Sequence, residues 1–245
     1  YAGPSVETAP DNDTSVILLT NAVHPEDGHS VVRLRSLVAN AVAASLYPAP
    51  RTYTDHYYKR FLQFMDEPAI GSKDIVMLGN SLTENGDAWA ARLGNKHVRN
   101  RGIIGDEVMG VYDRLHQILP GQPAKLFLLI GVNDVSHDLT ADSIAGMIRM
   151  TVERIRKESP DTRLYLQSLL PINESFGRYK RLAGKTNLIP EINKQLEALA
   201  KEKGLTYINL FPLFTEKGSN VLRADLTTDG LHLKEEGYKI WTKAL

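Results

Sequence analysis

A chain of 245 residues has room for one α/β domain with a sizeable core and is short for two. Its 29 basic and 29 acidic residues cancel and no basic stripe stands out, which argues against a nucleic-acid partner. The absence of cysteine excludes disulfides, thiolate catalysis, Cys-ligated zinc and iron–sulfur clusters.

In chain order, residues 1–13, YAGPSVETAPDND, read as a mobile polar arm. Tyr1 in first place suggests a processed N-terminus, hence a secreted or periplasmic protein, with the cytoplasm left open. SVILLT at 15–20 has the composition of a buried strand, HPEDGHS follows as a loop, and 31–47 reads as a helix closed off by Pro48 and Pro50. Its segment SLVANAVAASLY at 36–47 is too short and too interrupted to span a bilayer. Residues 52–67 predict an amphipathic helix with Tyr57, Tyr58, Phe61, Leu62 and Met65 as its core stripe.

From residue 74 a regular alternation begins. Apolar runs at 74–78, 97–100, 125–130, 163–169 and 205–210 predict strands, with helices around 86–93, 107–118, 140–158, 187–203 and 235–244. Thr140 and Asp142 are candidate N-caps, and Gly204 marks a helix stop. Runs without polar alternation point to strands covered on both faces. The expected fold is therefore a three-layer α/β/α sandwich on a central, mainly parallel five-stranded sheet. Residues 1–53 form an N-terminal extension and 54–245 the main domain. In such sheets functional groups gather at the carboxyl ends of the strands.

Four strand ends carry chemistry. The first leads into Gly79-Asn80-Ser81, where a sharp turn can project the Ser81 hydroxyl beside free backbone N–H groups; taken alone, an N-cap is the commoner role for a serine at this position. The second leads into Asn100-Arg101-Gly102-Ile103-Ile104-Gly105-Asp106, with Gly102 a candidate oxyanion donor through its N–H, Gly105 serving the turn, and plain turn chemistry open for both. The third leads into Gly131-Val132-Asn133-Asp134. There the Asn133 amide could meet a charge that exists only in a transition state, or could close an Asx-turn. Near the carboxyl end, Asp229 and His232 stand three apart, so the carboxylate can hold one ring nitrogen while the other faces a serine.

Together, and in this order, GNS (79–81), NRGIIG (100–105), GVND (131–134) and DGLH (229–232) resemble the four blocks of the SGNH/GDSL hydrolases over roughly residues 54–245. The resemblance implies Ser81 as nucleophile, His232 as base and Asp229 as its partner. It places the oxyanion hole at Ser81 N–H, Gly102 N–H and the Asn133 side chain, with no metal and no cofactor. Asn80 stands where many members have Asp, which removes a charge beside the nucleophile and leaves the turn.

Three rivals differ in class. An α/β-hydrolase would carry G-x-S-x-G, and the fifth position here is Thr83. A metal hydrolase lacks its ligand pairs, since His24 and His29 in HPEDGH are the nearest approach. A non-catalytic carbohydrate-binding relative has no need of all five residues. The chain is similar to the branch of platelet-activating-factor acetylhydrolase-like enzymes and bacterial carbohydrate O-acetylesterases, which implies a small-molecule or oligosaccharide ester carrying an acetyl group. Lysophospholipase or thioesterase activity stays open, as does the oligomeric state. Specificity is expected in the loops after Ser81, around 134–139 and over 171–185, whose Phe176, Arg178, Tyr179, Lys180 and Arg181 could hold a sugar or an acidic group, although a solvated loop is the commoner fate of such a segment.

Overall fold

The computed structural model describes residues 5–9, 14–18 and 51–245, and the chain divides into two units, 1–52 and 53–245. In the first unit β1 (Ser5–Ala9) pairs antiparallel with β2 (Thr14–Leu18), Val6 opposite Ile17. Ser5–Ala9 is thus a strand rather than part of an arm. The residues between the two runs in sequence, Pro10 to Asp13, are of turn-forming types, a hairpin signal that the segment's polarity obscures. The helix expected over 31–47 and the HPEDGH loop lie outside the described residues.

The second unit runs α1 (Asp55–Asp66), β3 (Ile75–Gly79), α2 (Ser81–Glu84), α3 (Trp89–Arg92), β4 (Val98–Gly102), α4 (Val108–Asp113), β5 (Lys125–Leu129), α5 (Val132–Ser136), α6 (Ala141–Glu158), β6 (Arg163–Gln167), α7 (Leu188–Lys203), β7 (Thr206–Ile208) and α8 (Glu235–Ala244). The sheet order is β4-β3-β5-β6-β7 and every pairing is parallel. The unbroken apolar runs follow from burial on both faces. Val76 and Leu78 of β3 and Leu126 and Leu128 of β5 join one core with α4, α6 and α7, while Met77, Phe127 and Leu129 join a second core with Trp89, Tyr238 and Trp241. The result is the α/β/α sandwich that the strand pattern implies.

Local chemistry sets the helix ends. Thr140 Oγ1 accepts the Ser143 N–H at 3.2 Å and starts α6, with Asp142 in the first turn, and Gly204 ends α7 at φ +63°. Along α6, Ile144, Ile148, Val152 and Ile155 share one buried face. Each such side chain contributes roughly 1.5–3 kcal/mol over leaving it exposed.

The apolar stripe expected on α1 is half right. Tyr57 and Phe64 are buried and pack with Phe61 and Ile103, but Tyr58, Leu62 and Met65 are 44%, 59% and 64% exposed. Positions 57, 61 and 64 make one helical face; 58, 62 and 65 lie one residue, about 100°, around the cylinder and face away from that cluster. No helix among the described residues is long and apolar enough to cross a membrane.

β3 is the strand at which the chain order reverses, with β4 on one side and β5 on the other. The crevice beyond the carboxyl ends of β4, β3 and β5 is where such a sheet binds ligands.

Candidate active site

β3 delivers the chain to Asn80, whose side-chain oxygen accepts the Leu82 N–H at 3.1 Å and caps the single turn of α2. Thr83 and Glu84 donate to the Asn80 carbonyl, so the Ser81 N–H is left with no acceptor among the described residues. Asn80 therefore performs the capping that a carboxylate would, and the cap role considered for Ser81 falls to its neighbour.

The histidine arrives from the other end of the chain. Asp229 begins a turn in which its Oδ1 accepts the Leu231 N–H at 3.0 Å and the His232 N–H at 2.8 Å, and its Oδ2 lies 2.8 Å from His232 Nδ1. His232 Nε2 lies 2.9 Å from Ser81 Oγ, across 151 positions of sequence. A proton on Nδ1, donated to the carboxylate, leaves Nε2 as acceptor for the serine hydroxyl. Burial opposes the charge on Asp229, but the His232 ring, the two backbone N–H groups and the Tyr179 hydroxyl hold its carboxyl down at about 2. The residues picked from sequence as Ser81, Asp229 and His232 thus meet in one hydrogen-bonded relay.

Gly102 does not offer the group expected of it. Its N–H donates to Asn100 Oδ1 at 2.9 Å, and a Cβ there would overlap the backbone of Glu84. This glycine is required because β4 and α2 touch, not because a ligand approaches. Three residues on, Gly105 sits at φ +81° in open space, and its N–H has no acceptor among the described residues. The loop around it is pinned from several sides. Ile104 N–H donates to Glu84 Oε2 at 2.6 Å, Asp106 N–H to the Ile103 carbonyl at 3.1 Å, and the Asn133 amide to the Asp106 carbonyl at 2.8 Å. One amide hydrogen of Asn133 is thereby used; the other has no acceptor among the described residues.

Beneath this loop lies buried charge. Arg114 and Asp106 pair at 2.9 Å with both side chains fully buried, and Arg114 also donates to the Gly79 carbonyl at 3.1 Å. Burial pushes Asp106 upward against the pull of Arg114. Asp134 accepts the Val108 N–H at 3.2 Å, and burial, aided by Glu107 and Asp106, pushes it up to about 7 against that hydrogen bond. One guanidinium therefore ties the end of β3 to the loop after β4.

Tyr179 is the contact that the sequence concealed. It lies in the aromatic and basic loop singled out for specificity, yet its hydroxyl donates to Asp229 Oδ2 at 2.8 Å. Among the described residues no group of three or more His, Asp or Glu could hold a metal ion.

The sequence profile described as the GDSL-like Lipase/Acylhydrolase family matches residues 77–240. The chain belongs to that family. The rat platelet-activating factor acetylhydrolase IB subunit alpha1 is 26% identical over 193 residues, covering 75% of this chain and 78% of the relative. A GDSL-like lipase from Bacteroides thetaiotaomicron superposes with a TM-score of 0.66 at 22% identity, covering 77% of this chain and 94% of that one. An acetyl xylan esterase superposes at 0.58 and 20% identity, covering 70% and 96%. These two likenesses show the shared fold. As a member of the GDSL-like acylhydrolases the chain is an ester-hydrolysing enzyme.

Proposed function

We propose that this acylhydrolase is a serine esterase that removes short acyl groups, acetyl foremost, from carbohydrate hydroxyls through an acyl-enzyme on Ser81. The observation that carries the reading is the relay Ser81 Oγ–His232 Nε2 at 2.9 Å and His232 Nδ1–Asp229 Oδ2 at 2.8 Å. His232 Nε2 takes the Ser81 proton as Oγ bonds to the ester carbon, and the carbonyl electron pair moves onto oxygen. That oxyanion is met by the Ser81 N–H, the Gly105 N–H and the free amide hydrogen of Asn133, with Gly105 taking the part first given to Gly102. Collapse breaks the bond to the alcohol oxygen, which leaves with the proton from His232. Water then attacks the acyl carbon by the same route, regenerating Ser81 and releasing the acid.

Two observations favour a sugar over a long acyl chain. Beyond β6 and β7 an open groove of about 630 Å³ is lined mainly by amides, hydroxyls and one carboxylate, with Asn173, Ser175, Thr186, Asn187 and Asn220 among them. Asn173 also donates its N–H to the Gly230 carbonyl at 2.8 Å, placing the groove beside the Asp229–His232 turn. The acetyl esters named for the rat relative and for the acetyl xylan esterase agree with a small acyl group.

The test has two arms. Ser81→Ala should abolish hydrolysis of p-nitrophenyl acetate and labelling by a fluorophosphonate probe while leaving the fold intact. Across p-nitrophenyl esters of increasing length, and acetylated xylo-oligosaccharides, kcat/KM should be highest for acetyl esters. Activity that rises with chain length would overturn the substrate reading, and activity in Ser81→Ala would overturn the mechanism.

A further inference from the structure

We infer that Tyr179 is a positioning residue for this reaction, its hydroxyl fixing the Asp229 carboxylate and, through it, the His232 imidazole; the inference rests on the serine-esterase reading above. The Tyr179 oxygen lies 2.8 Å from Asp229 Oδ2 and 3.0 Å from His232 Nδ1, and the two rings meet edge to face with centroids 5.8 Å apart. Nδ1 carries the proton that it gives to Asp229, so the hydroxyl hydrogen has one useful acceptor, Oδ2. Oδ1 is already occupied by the Leu231 and His232 N–H groups. Without Tyr179, Oδ2 would be held, among the described residues, only by the imidazole that it is meant to orient.

The hydroxyl is itself well held. Tyr179 packs against the core cluster that contains the buried Leu182, three residues on. Glu174 accepts the Gly184 N–H at 2.6 Å and the Thr186 N–H at 2.8 Å, closing the loop on itself. Lys185 Nζ reaches the Val135 carbonyl of α5 at 2.8 Å, and α5 also carries Asn133. The loop from Asn173 to Lys185 therefore spans from the histidine's turn to the helix that presents the amide donor. Burial first, and then the hydrogen bond to Asp229, push Tyr179 up to about 12, so it remains a donor wherever an ester hydrolase works. The charged Arg178 side chain also acts on it, and both line the same small cavity beside Asp229.

A hydroxyl that donates to the carboxylate draws off part of its negative charge. Removing it leaves Asp229 a stronger partner for a charged imidazole and a less constrained one. Tyr179→Phe keeps the ring and should fold as the parent does. It should lower kcat on p-nitrophenyl acetate by about 3- to 10-fold with little change in KM, and move the acid limb of the kcat/KM profile upward by roughly half a pH unit. In an Asp229→Asn background the same substitution should change kcat by less than about 2-fold, because the hydroxyl acts through that carboxylate. Parental kcat and an unmoved acid limb in Tyr179→Phe would overturn the inference, as would full multiplication of the two effects in the double variant. Both outcomes leave the serine-esterase reading standing if Ser81→Ala is inert, whereas activity surviving in Ser81→Ala removes the two together.

Discussion

Ser81 and the loop facing it rest on buried charge, whereas His232 rests on a turn near solvent. On the first side, Arg114 and Asp106 are fully buried and pull the end of β3 against the loop after β4, with Asn133 and Asp134 of α5 bracing that loop and the start of α4. On the second, the side chains of Asp229 and His232 are 21% and 23% exposed, and their geometry comes from an Asx-turn plus one tyrosine from a neighbouring loop. The difference separates stability from catalysis. Damage to the first half should be felt by the whole fold, because a buried charge left unpaired is costly. Damage to the second should be felt mainly by the reaction.

Four substitutions would break or sharpen that contrast. The largest effect on rate is expected from Asp229→Asn, which keeps the shape but favours the wrong imidazole tautomer; kcat should fall by about 10⁴, the drop known for the equivalent change in a serine protease, with a nearly unchanged melting temperature. Arg114→Met should destabilise the protein by about 3–5 kcal/mol in urea denaturation, since it strands Asp106. A variant as stable as the parent would show that the buried pair is dispensable and would dissolve the contrast. Asn133→Ala should lower kcat by about 10²–10³ with a smaller stability loss, measured on the same reporter ester.

The fourth substitution probes a pH dependence, whose effect over any one pH unit is small. The Asp134 carboxyl is pushed up to about 7 in the folded protein, above its range in the unfolded chain near 4. A raised carboxyl contributes stability that is complete below about pH 4 and is lost as pH rises through about 7. Asp134→Asn lacks that loss and can still accept from Val108, so its urea midpoint should gain on the parent between those limits, by at most about 1.4 kcal/mol per pH unit. A midpoint difference that stays flat from pH 4 to pH 8 would show that Asp134 does not carry a shifted proton.

How far the sequence alone reached depends on the range of the interaction. β3, β5 and α6 were legible to within a residue or two, because an apolar run of about five residues or a repeated i, i+4 spacing is a local signal and the core that rewards it surrounds it on every side. Asp229 and His232 were legible for a related reason: three positions apart on a turn, they can meet only in a few ways. Ser81 became legible through the order of the four blocks rather than through its own neighbourhood, where a cap is the commoner role.

The choice between Gly102 and Gly105 was not legible. Both are glycines within one strand-end segment, and only the tertiary contacts show that the Gly102 N–H is spent on Asn100 and its Cα pressed against Glu84. On α1 likewise, Tyr58 and Phe61 are equally apolar in composition, and which of two adjacent stripes is covered depends on where Ile103 lies. Tyr179 and Arg114 belong to the same class, since their partners are 50 and 35 positions distant. The chain by itself determined the five strands of the parallel sheet, its long flanking helices and the chemical types brought to the strand ends. Which N–H groups stay free and which hydroxyl steadies the carboxylate were decided only by the packed fold, because a hydrogen bond goes to whichever partner long-range packing brings within about 3 Å.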